Sequence, residues 1–428
     1  LRVNNVGGAG APTVEGIQVV QVDGASSGTF ALGGRVVAGA HEYRLAQGGV
    51  TNPGDGDWYL RSQAMPDPAP VPTPAPTPDP TPAPGPTPGP SPAPAPAPTP
   101  APTPTPDPDA PVPAPLYRPE TAAYLANQAA ALGMFRHSMH DRMGEPNFAK
   151  GNDRAAAAWV RVVRDQMDGQ AGYDQLGVAT DTSLLQVGGE LGMWRGDSRF
   201  HFGVMGGTGR ANAHAASDLT SYRAKGKVTG YNLGAYGTWF ANADSPSGLY
   251  VDGWLQYGRY DQQVAGDQLS SESYDAKTWS TSVEAGYAFA LNDGGRATYF
   301  IEPQAQLIYS DYSMGTHREG NGTLVDAADS GGVTSRLGVR FYGHGTPALS
   351  AIVQPFATIN WWHDHRYSSM SFNGDDQTLK LPRDRYELKL GIQAQLGGGW
   401  AGWGQLGALT GDDGYRDLNG QLGLNYRW

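Results

Sequence analysis

The chain of 428 residues carries 60 Gly, 21 Tyr and 11 Trp with only 17% charged residues, a composition that points away from an average soluble domain and toward β architecture. A formal net charge of -11 without any basic run excludes nucleic acid as a partner, and the absence of Cys excludes disulfide and thiolate-metal scaffolds. No run of about 18 apolar residues occurs, so no helix is expected to span a bilayer. The mean hydropathy of -0.44 is still compatible with a membrane barrel, whose strands alternate lipid-facing and lumen-facing residues and so average to a polar value.

The chain opens at Leu1 with neither Met nor a signal-like segment, and a longer precursor is expected. Residues 14–22 and 30–45 are β-branched runs broken by Gly-rich turns, followed by Trp58, Tyr59 and Leu60, and these read as short strands. So few apolar side chains make a marginal core, and residues 1–64 are expected to be the truncated end of a stacked β-solenoid. From 66 to 108 every second residue is Pro, and Pro111, Pro113 and Pro115 prolong the pattern. Fixed φ and missing N–H groups leave polyproline II, at about 3.1 Å per residue, with a reach of roughly 130 Å. Residues 65–115 are read as a semi-rigid spacer, with a disordered linker or a ligand for proline-binding domains as the alternatives.

Pro119 then stands where the first residue of a helix would, and Glu120 favours a helix N-terminus, ahead of TAAYLANQAAALGMFRHSMHDRM. One helix over 119–142, on the order of 35 Å long, is expected within a linker at 116–146. Its middle is nearly all Ala, Leu, Asn and Gln, so it is slim and lacks a strong apolar stripe, as a rod inside a pore would; a surface helix packed on a domain is the alternative.

Residues 147–428 carry the alternation of a barrel. In the last strand Leu422, Leu424, Tyr426 and Trp428 share one face and Gln421, Gly423, Asn425 and Arg427 the other. In RYELKLGIQAQL, Tyr386, Leu388, Leu390, Ile392, Ala394 and Leu396 oppose Arg385, Glu387, Lys389, Gly391, Gln393 and Gln395. In TYFIEPQAQLIYS, Tyr299, Ile301, Pro303, Ala305, Leu307 and Tyr309 oppose Glu302, Gln304, Gln306 and Ser310. Twelve strands are expected near 155–167, 181–194, 199–209, 227–241, 248–261, 273–290, 297–312, 332–342, 349–366, 381–396, 399–409 and 419–428. Connections at 170–180, 210–226, 262–272, 313–331, 367–380 and 410–418 read as long and polar, and those near Gly196, Ser245, Asp293, Gly345 and Gly398 as tight, the arrangement of an outer-membrane barrel with its short turns in the periplasm. Trp194, Trp239, Phe240, Trp361, Trp362, Trp400 and Trp403 crowd strand ends, as interfacial girdles require, with buried core aromatics as the alternative. Odd strands then run outward, and the helix enters from outside and ends at the periplasmic face.

These residues resemble the classical monomeric autotransporters, and within them the pertactin-like group. Tyr117, Arg118 and Pro119, then His140, Asp141, Arg142, Met143, Gly144 and Glu145, are similar to the two ends of that group's linker helix. Trp159 and Arg161 resemble its opening strand, Glu302, Pro303 and Gln304 its Glu-Pro-Gln strand, and Tyr426 and Trp428 its terminal aromatic assembly signal. The resemblance implies an all-β fold: a twelve-stranded antiparallel transmembrane barrel plugged by the linker helix and preceded by the last turns of a right-handed β-helical passenger. Tyr117, Arg118, Pro119, Tyr124, Asn127, His140, Asp141 and Arg142 are then the linker residues in the pore, with Arg161, Glu302, Gln304, Arg385, Glu387 and Arg427 on the lumenal wall. It further implies outer-membrane lipid, the barrel-assembly machinery and periplasmic chaperones as partners, a monomeric barrel, a passenger that contacts host or neighbouring cells, and no cofactor. Export would proceed C-terminus first as a hairpin, biased by folding outside, since no nucleotide-binding loop of the P-loop type is present.

Few residues suggest chemistry. His137, Ser138, His140 and Asp141 contain hydrolase-like residue types, yet nothing orients a base or builds an oxyanion site, and capping and lumen contacts are the plainer reading. His363, Asp364 and His365 place two imidazoles on one strand face, a candidate weak metal pair or a polar rim near the outer loops. Self-cleavage of the linker would involve Asn127 or Glu302, against a buried hydrogen bond from Glu302 to the helix or to an interior Arg. An outer-membrane rim protease and a simple porin or adhesive surface module remain as rival functions.

Overall fold

A computed structural model describes residues 1–5, 8–24, 28–64, 113–145, 157–292, 297–345, 353–365 and 369–428. The repeated prolines up to 112, and the expected turn near Asp293, lie outside the described residues. The N-terminal part holds β1 (Ile17–Val20), β2 (Val36–Ala38), β3 (His41–Gln47) and β4 (Trp58–Arg61), followed by α1 (Pro119–Gly133) and α2 (Met139–Met143). Then come β5 (Ala157–Ala171), β6 (Leu176–Arg195), β7 (Arg199–Ser217), β8 (Arg223–Phe240), β9 (Gly248–Gly266), β10 (Glu272–Ala290), β11 (Ala297–Met314), β12 (His317–Arg318), β13 (Leu324–Asp329), β14 (Gly331–Gly345), β15 (Val353–Asp364), β16 (Ser369–Phe372), β17 (Asp375–Lys380), β18 (Asp384–Gly397), β19 (Trp400–Gly411) and β20 (Arg416–Arg427).

Twelve of these, β5 to β11, β14, β15 and β18 to β20, form one antiparallel sheet that closes on itself through β20 and β5. Among the described residues closure leaves the wall without a free edge, which a sheet in hydrocarbon requires. The expected strands are all present and their faces are those read from the alternation. Leu307, Leu390, Ile392 and Leu422 are more than half exposed on the outside, whereas Glu302, Gln306, Gln393 and Gln421 are buried inside.

Most of the strands are longer than expected, β15 and β18 excepted. β9 runs 19 residues, about 60 Å at 3.3 Å per residue, far more than an apolar band of about 25 Å needs even at a tilt of about 40°. The stretches at 170–180, 210–226, 262–272 and 410–418 are therefore mostly strand, joined by short turns, rather than long loops. On that same side the connections at 315–330 and 365–383 do fold outward, as β12, β13, β16 and β17, and β17 rejoins the wall through Leu379 beside Ala171.

β1 to β4 form an antiparallel sheet in the order β1-β4-β3-β2, with Val37, Tyr43, Trp58 and Leu60 in a small core. Such a core cannot stand by itself, and it does not: Ala40 packs with Tyr117, Val325, Met370 and Phe372 of the linker and outer hairpins. The two flanks of the spacer meet: Gln63 is bridged to Pro115, the Ala64 amide donates to the Ala114 carbonyl (2.8 Å) and the Leu116 amide to Ser62 (2.7 Å), so the continuation of β4 pairs through its backbone with the segment entering α1.

Candidate functional site: a plugged lumen

The chain enters the barrel at the end carrying the outer hairpins, under the N-terminal sheet. Arg35 anchors that junction: its guanidinium, wholly buried, lies 2.6 Å from Glu42 and 2.8 Å from Glu120 and donates to the Asp267 carbonyl. Burial pushes the Arg35 pKa down, and the two carboxylates outweigh it, so the group sits above the ordinary arginine value and stays charged. Arg118, 1% exposed, pairs with Glu319 at 2.8 Å and donates to the Gly39 carbonyl at 2.7 Å. Tyr117 stacks between His41 and Tyr173, and Asn373 donates to the Ala9 carbonyl (2.9 Å).

Pro119 occupies the first turn of α1, which is buried around its circumference: Ala122, Ala123, Tyr124, Leu125 and Ala126 are all 0% exposed. Alanines let the helix approach β7, β8 and β9, and glycines on the wall complete the fit. A Cβ at Gly226 would lie 2.4 Å from Asn127 Oδ1 and 3.0 Å from the Ala123 carbonyl oxygen. Asn127 donates to the Gln263 carbonyl (3.1 Å) and to Tyr274 (3.3 Å), and the Tyr124 ring packs on Tyr274 and Phe372. On the opposite side of the helix a cavity of about 270 Å³ remains, edged by Arg136, Arg161, Asp165, Arg385 and Asp417.

The expected single helix over 119–142 is broken. α1 ends at Gly133, about 22 Å from its start. A new N-cap forms at Ser138, whose side chain accepts from the Asp141 amide while the Asp141 carboxylate accepts from the Ser138 amide, a capping box that begins α2. The hydrolase-like set is thus explained in part as helix architecture. Wall side chains take up the freed backbone groups: Trp254 and Gln306 donate to the His137 carbonyl, Asn425 to that of Met143, and Gln393 exchanges bonds with Glu145.

α2 is held by charge. Arg142, 0% exposed, makes a bidentate pair with Asp252 (2.6 and 3.2 Å), reaches Thr238 at 3.1 Å and lies 4.0 Å above the Tyr236 ring. Asp141 faces Lys389 at 3.1 Å and Gln405 at 2.6 Å. His140 lies 2.7 Å from Glu302, and the Met139 amide donates to Glu284, itself 3.1 Å from Arg336. His140, Glu145 and Glu302 bring ligand-type atoms within 4.8 Å of one another. Both imidazole nitrogens are engaged, by Glu302 and by the Gly144 carbonyl at 3.2 Å, so the trio reads as a hydrogen-bonded anchor.

Glu302 therefore bonds to the linker through His140, and it is not brought together with Asn127. Gln304 donates to Glu302 (2.8 Å) and accepts from Arg336; Glu387 accepts from Asn360 and Trp362; Arg161 donates to Gln186 and Gln421; Arg385 pairs with Asp364. Arg427 lies half-buried at the far end of β20. Tyr426 stacks with Trp400 and Trp428 at the outer surface. Of the expected girdle, Trp194, Trp361 and Trp400 face outward and Trp239 sits between Phe200 and Val251 on the outer face. Phe240, Trp362 and Trp403 instead point into the lumen, because each follows the inward parity of its strand. His363 and His365 form a polar rim: His363 Nδ1 is 2.8 Å from Asp384 and His365 reaches Ser335. Asp252, Glu284 and Arg336 were missed, although each is a charge at an inward position beside an outward apolar residue, Val251, Val283 and Leu337 in turn.

The family model described as autotransporter beta-domain matches residues 158–407, and that described as autochaperone domain type 1 matches residues 1–45. The chain is 33% identical over 450 residues to the protein YdeU of Escherichia coli K12, covering 100% of this chain and 89% of that protein. It is 25% identical over 437 residues to the autotransporter adhesin AIDA-I of Escherichia coli, covering 99% of this chain but 30% of that protein. The crystal structure of the AIDA-I transport unit superposes with a TM-score of 0.66 at 25% identity, covering 72% of this chain and 99% of that one.

Proposed function

The chain belongs to the autotransporter family and is an outer-membrane translocator of a surface-exposed passenger, and from that premise we propose that its linker is the plug that remains in the pore when export ends. The observation that carries this reading is the Arg142–Asp252 pair and its neighbours, which fix α2 inside a closed barrel whose other end is covered by the N-terminal sheet. In this reading residues 1–64 are the passenger's end, 65–115 a spacer, 116–146 the linker and 147–428 the barrel. The passenger is adhesin-like, in keeping with the AIDA-I relative. It leaves as a hairpin and folds from its C-terminal end; antiparallel pairing of β1 to β4 and their docking at the mouth supply free energy that opposes return. Tyr426 and Trp428 address the chain to the barrel-assembly machinery, with periplasmic chaperones guarding it beforehand, and the barrel works as a monomer. The translocator itself performs no catalysis: Ser138 and Asp141 cap α2, and Asn127 and Glu302 serve as lumen contacts.

Deleting residues 117–146 tests this reading. A translocator loses passenger display while the barrel still inserts, whereas a porin or rim protease keeps its activity; display retained by the deletion would overturn the reading.

A further inference from the structure

The outer wall of β7 to β10 carries a cationic surface that neither the plug nor passenger export uses. On β9 the outward positions Leu249, Val251, Gly253, Leu255 and Tyr257 precede Arg259. That apolar run covers about 27 Å of strand, or about 20 Å of height at a tilt of about 40°, close to the apolar band of an outer-membrane barrel. Tyr231, Tyr257 and Trp279 mark its upper rim, with Tyr257 opposite Trp279 and Tyr231 opposite Arg259. On the side of the outer hairpins, Arg259, Lys277, Arg210 and Lys227 are exposed at or just above this aromatic row, and Lys225 and Arg223 continue the line of exposed cations farther up β8.

Register makes this placement unfavourable without a counter-charge. Arg259 stands directly opposite Lys277, and like charges across a strand pair destabilise a sheet. Only Asp261 and Asp275 share these outward faces, and Asp275 is taken at 3.5 Å by Arg259. In a chain of net charge -11, six cations gathered on four adjacent strands from the aromatic row upward form a local field of the opposite sign. Phosphate groups held at that height by acyl chains lying against the apolar wall below are the complementary partner.

We propose that the outer face of β7 to β10 binds the phosphorylated glycolipid of the outer leaflet, through Arg210, Lys225, Lys227 and Lys277 on its phosphates and the apolar run below on its acyl chains. The site rests on the barrel's outer-membrane placement but not on its export role, so it stands or falls separately from the plug.

The full chain, purified in a mild detergent without divalent cations, is titrated with diphosphoryl lipid A and with the same lipid stripped of phosphate, and bound lipid is counted by native mass spectrometry. The proposal expects saturable binding of the phosphorylated lipid that weakens roughly tenfold or more in the combined variant Arg210→Gln, Lys225→Gln, Lys227→Gln and Lys277→Gln. The paired change Arg164→Gln and Arg416→Gln, on β5 and β20, leaves it unchanged. Equal binding of the dephosphorylated lipid to the unaltered chain overturns the proposal without any variant needing to fold. Equal loss in the β5 and β20 control, or no loss in the fourfold variant, overturns it as well; heat-modifiable migration on gels verifies that each variant is folded.

Discussion

Replacing Asp252 by Ala strikes the plug at its strongest fastening. Arg142 is 0% exposed and its guanidinium has Asp252 at 2.6 and 3.2 Å, with the Thr238 hydroxyl, the Met143 sulfur and the Tyr236 face besides. Removing the carboxylate leaves a buried, uncompensated cation, which costs about 3–5 kcal/mol. The wall retains its shape, so most of that cost falls on the plugged state and lowers its population relative to an open one by roughly two to three and a half powers of ten. The purified variant in a planar lipid bilayer is expected to show frequent open-channel events, while the unaltered chain is nearly silent. Changing both partners, Arg142→Met with Asp252→Leu, removes the cation along with its partner and is expected to restore silence, since apolar replacement of a buried pair is often neutral. Recordings from Asp252→Ala that match the unaltered chain, or a double variant as leaky as the single one, would refute the reasoning.

Three further outcomes test other parts of the structure. Gly226→Val places carbon against Asn127 and the Ala123 backbone, so the helix must shift away from β8; bilayer conductance is expected to rise while heat-modifiable folding of the barrel persists, and silence would show that the close approach is unimportant. Arg35→Ala leaves the Glu42 and Glu120 carboxylates buried without their shared cation, a loss of about 3–5 kcal/mol, so amides of β2 and β3 are expected to exchange with deuterium at least 100-fold faster. Unchanged exchange would mean that the sheet is held by other contacts. Removal of Trp428 strips the ring that stacks on Tyr426 and is expected to reduce the amount of barrel inserted in the outer membrane, measured by heat-modifiable protein in membrane fractions; insertion at the normal level would argue against a terminal aromatic signal.

The barrel was legible wherever lipid and water face opposite sides of a strand. Leu388 against Glu387 and Leu307 against Gln306 announce both faces at once. Above the membrane the same strands reverse their pattern, which is why they read as polar loops. There Ala213, Ala215, Ala224, Val228 and Val264 point inward onto α1 and are nearly inaccessible, while Asn212, His214, Lys225, Lys227 and Gln263 meet water or headgroups outside. The alternation persists and only its sign changes. The break between α1 and α2 was missed because good helix formers on both sides outweigh one Gly in any propensity reading; the competing signal was Ser138 three residues before Asp141. Residues such as Arg142 could be placed on the linker, but its partner could not, since the register between a helix and a wall 110 residues away is set by packing alone. Lumenal Trp362 and Trp403 were equally hidden among girdle candidates, because an aromatic near a strand end is compatible with either face until parity is counted.

Protease shaving of intact cells expressing this chain behind a signal peptide, with an epitope tag placed before Val14, tests the central claim most directly. For a surface-exposed passenger the tag is cleaved from whole cells while a heat-modifiable barrel fragment survives in the outer membrane. A tag protected from protease, on a protein found soluble in the periplasm, would contradict it.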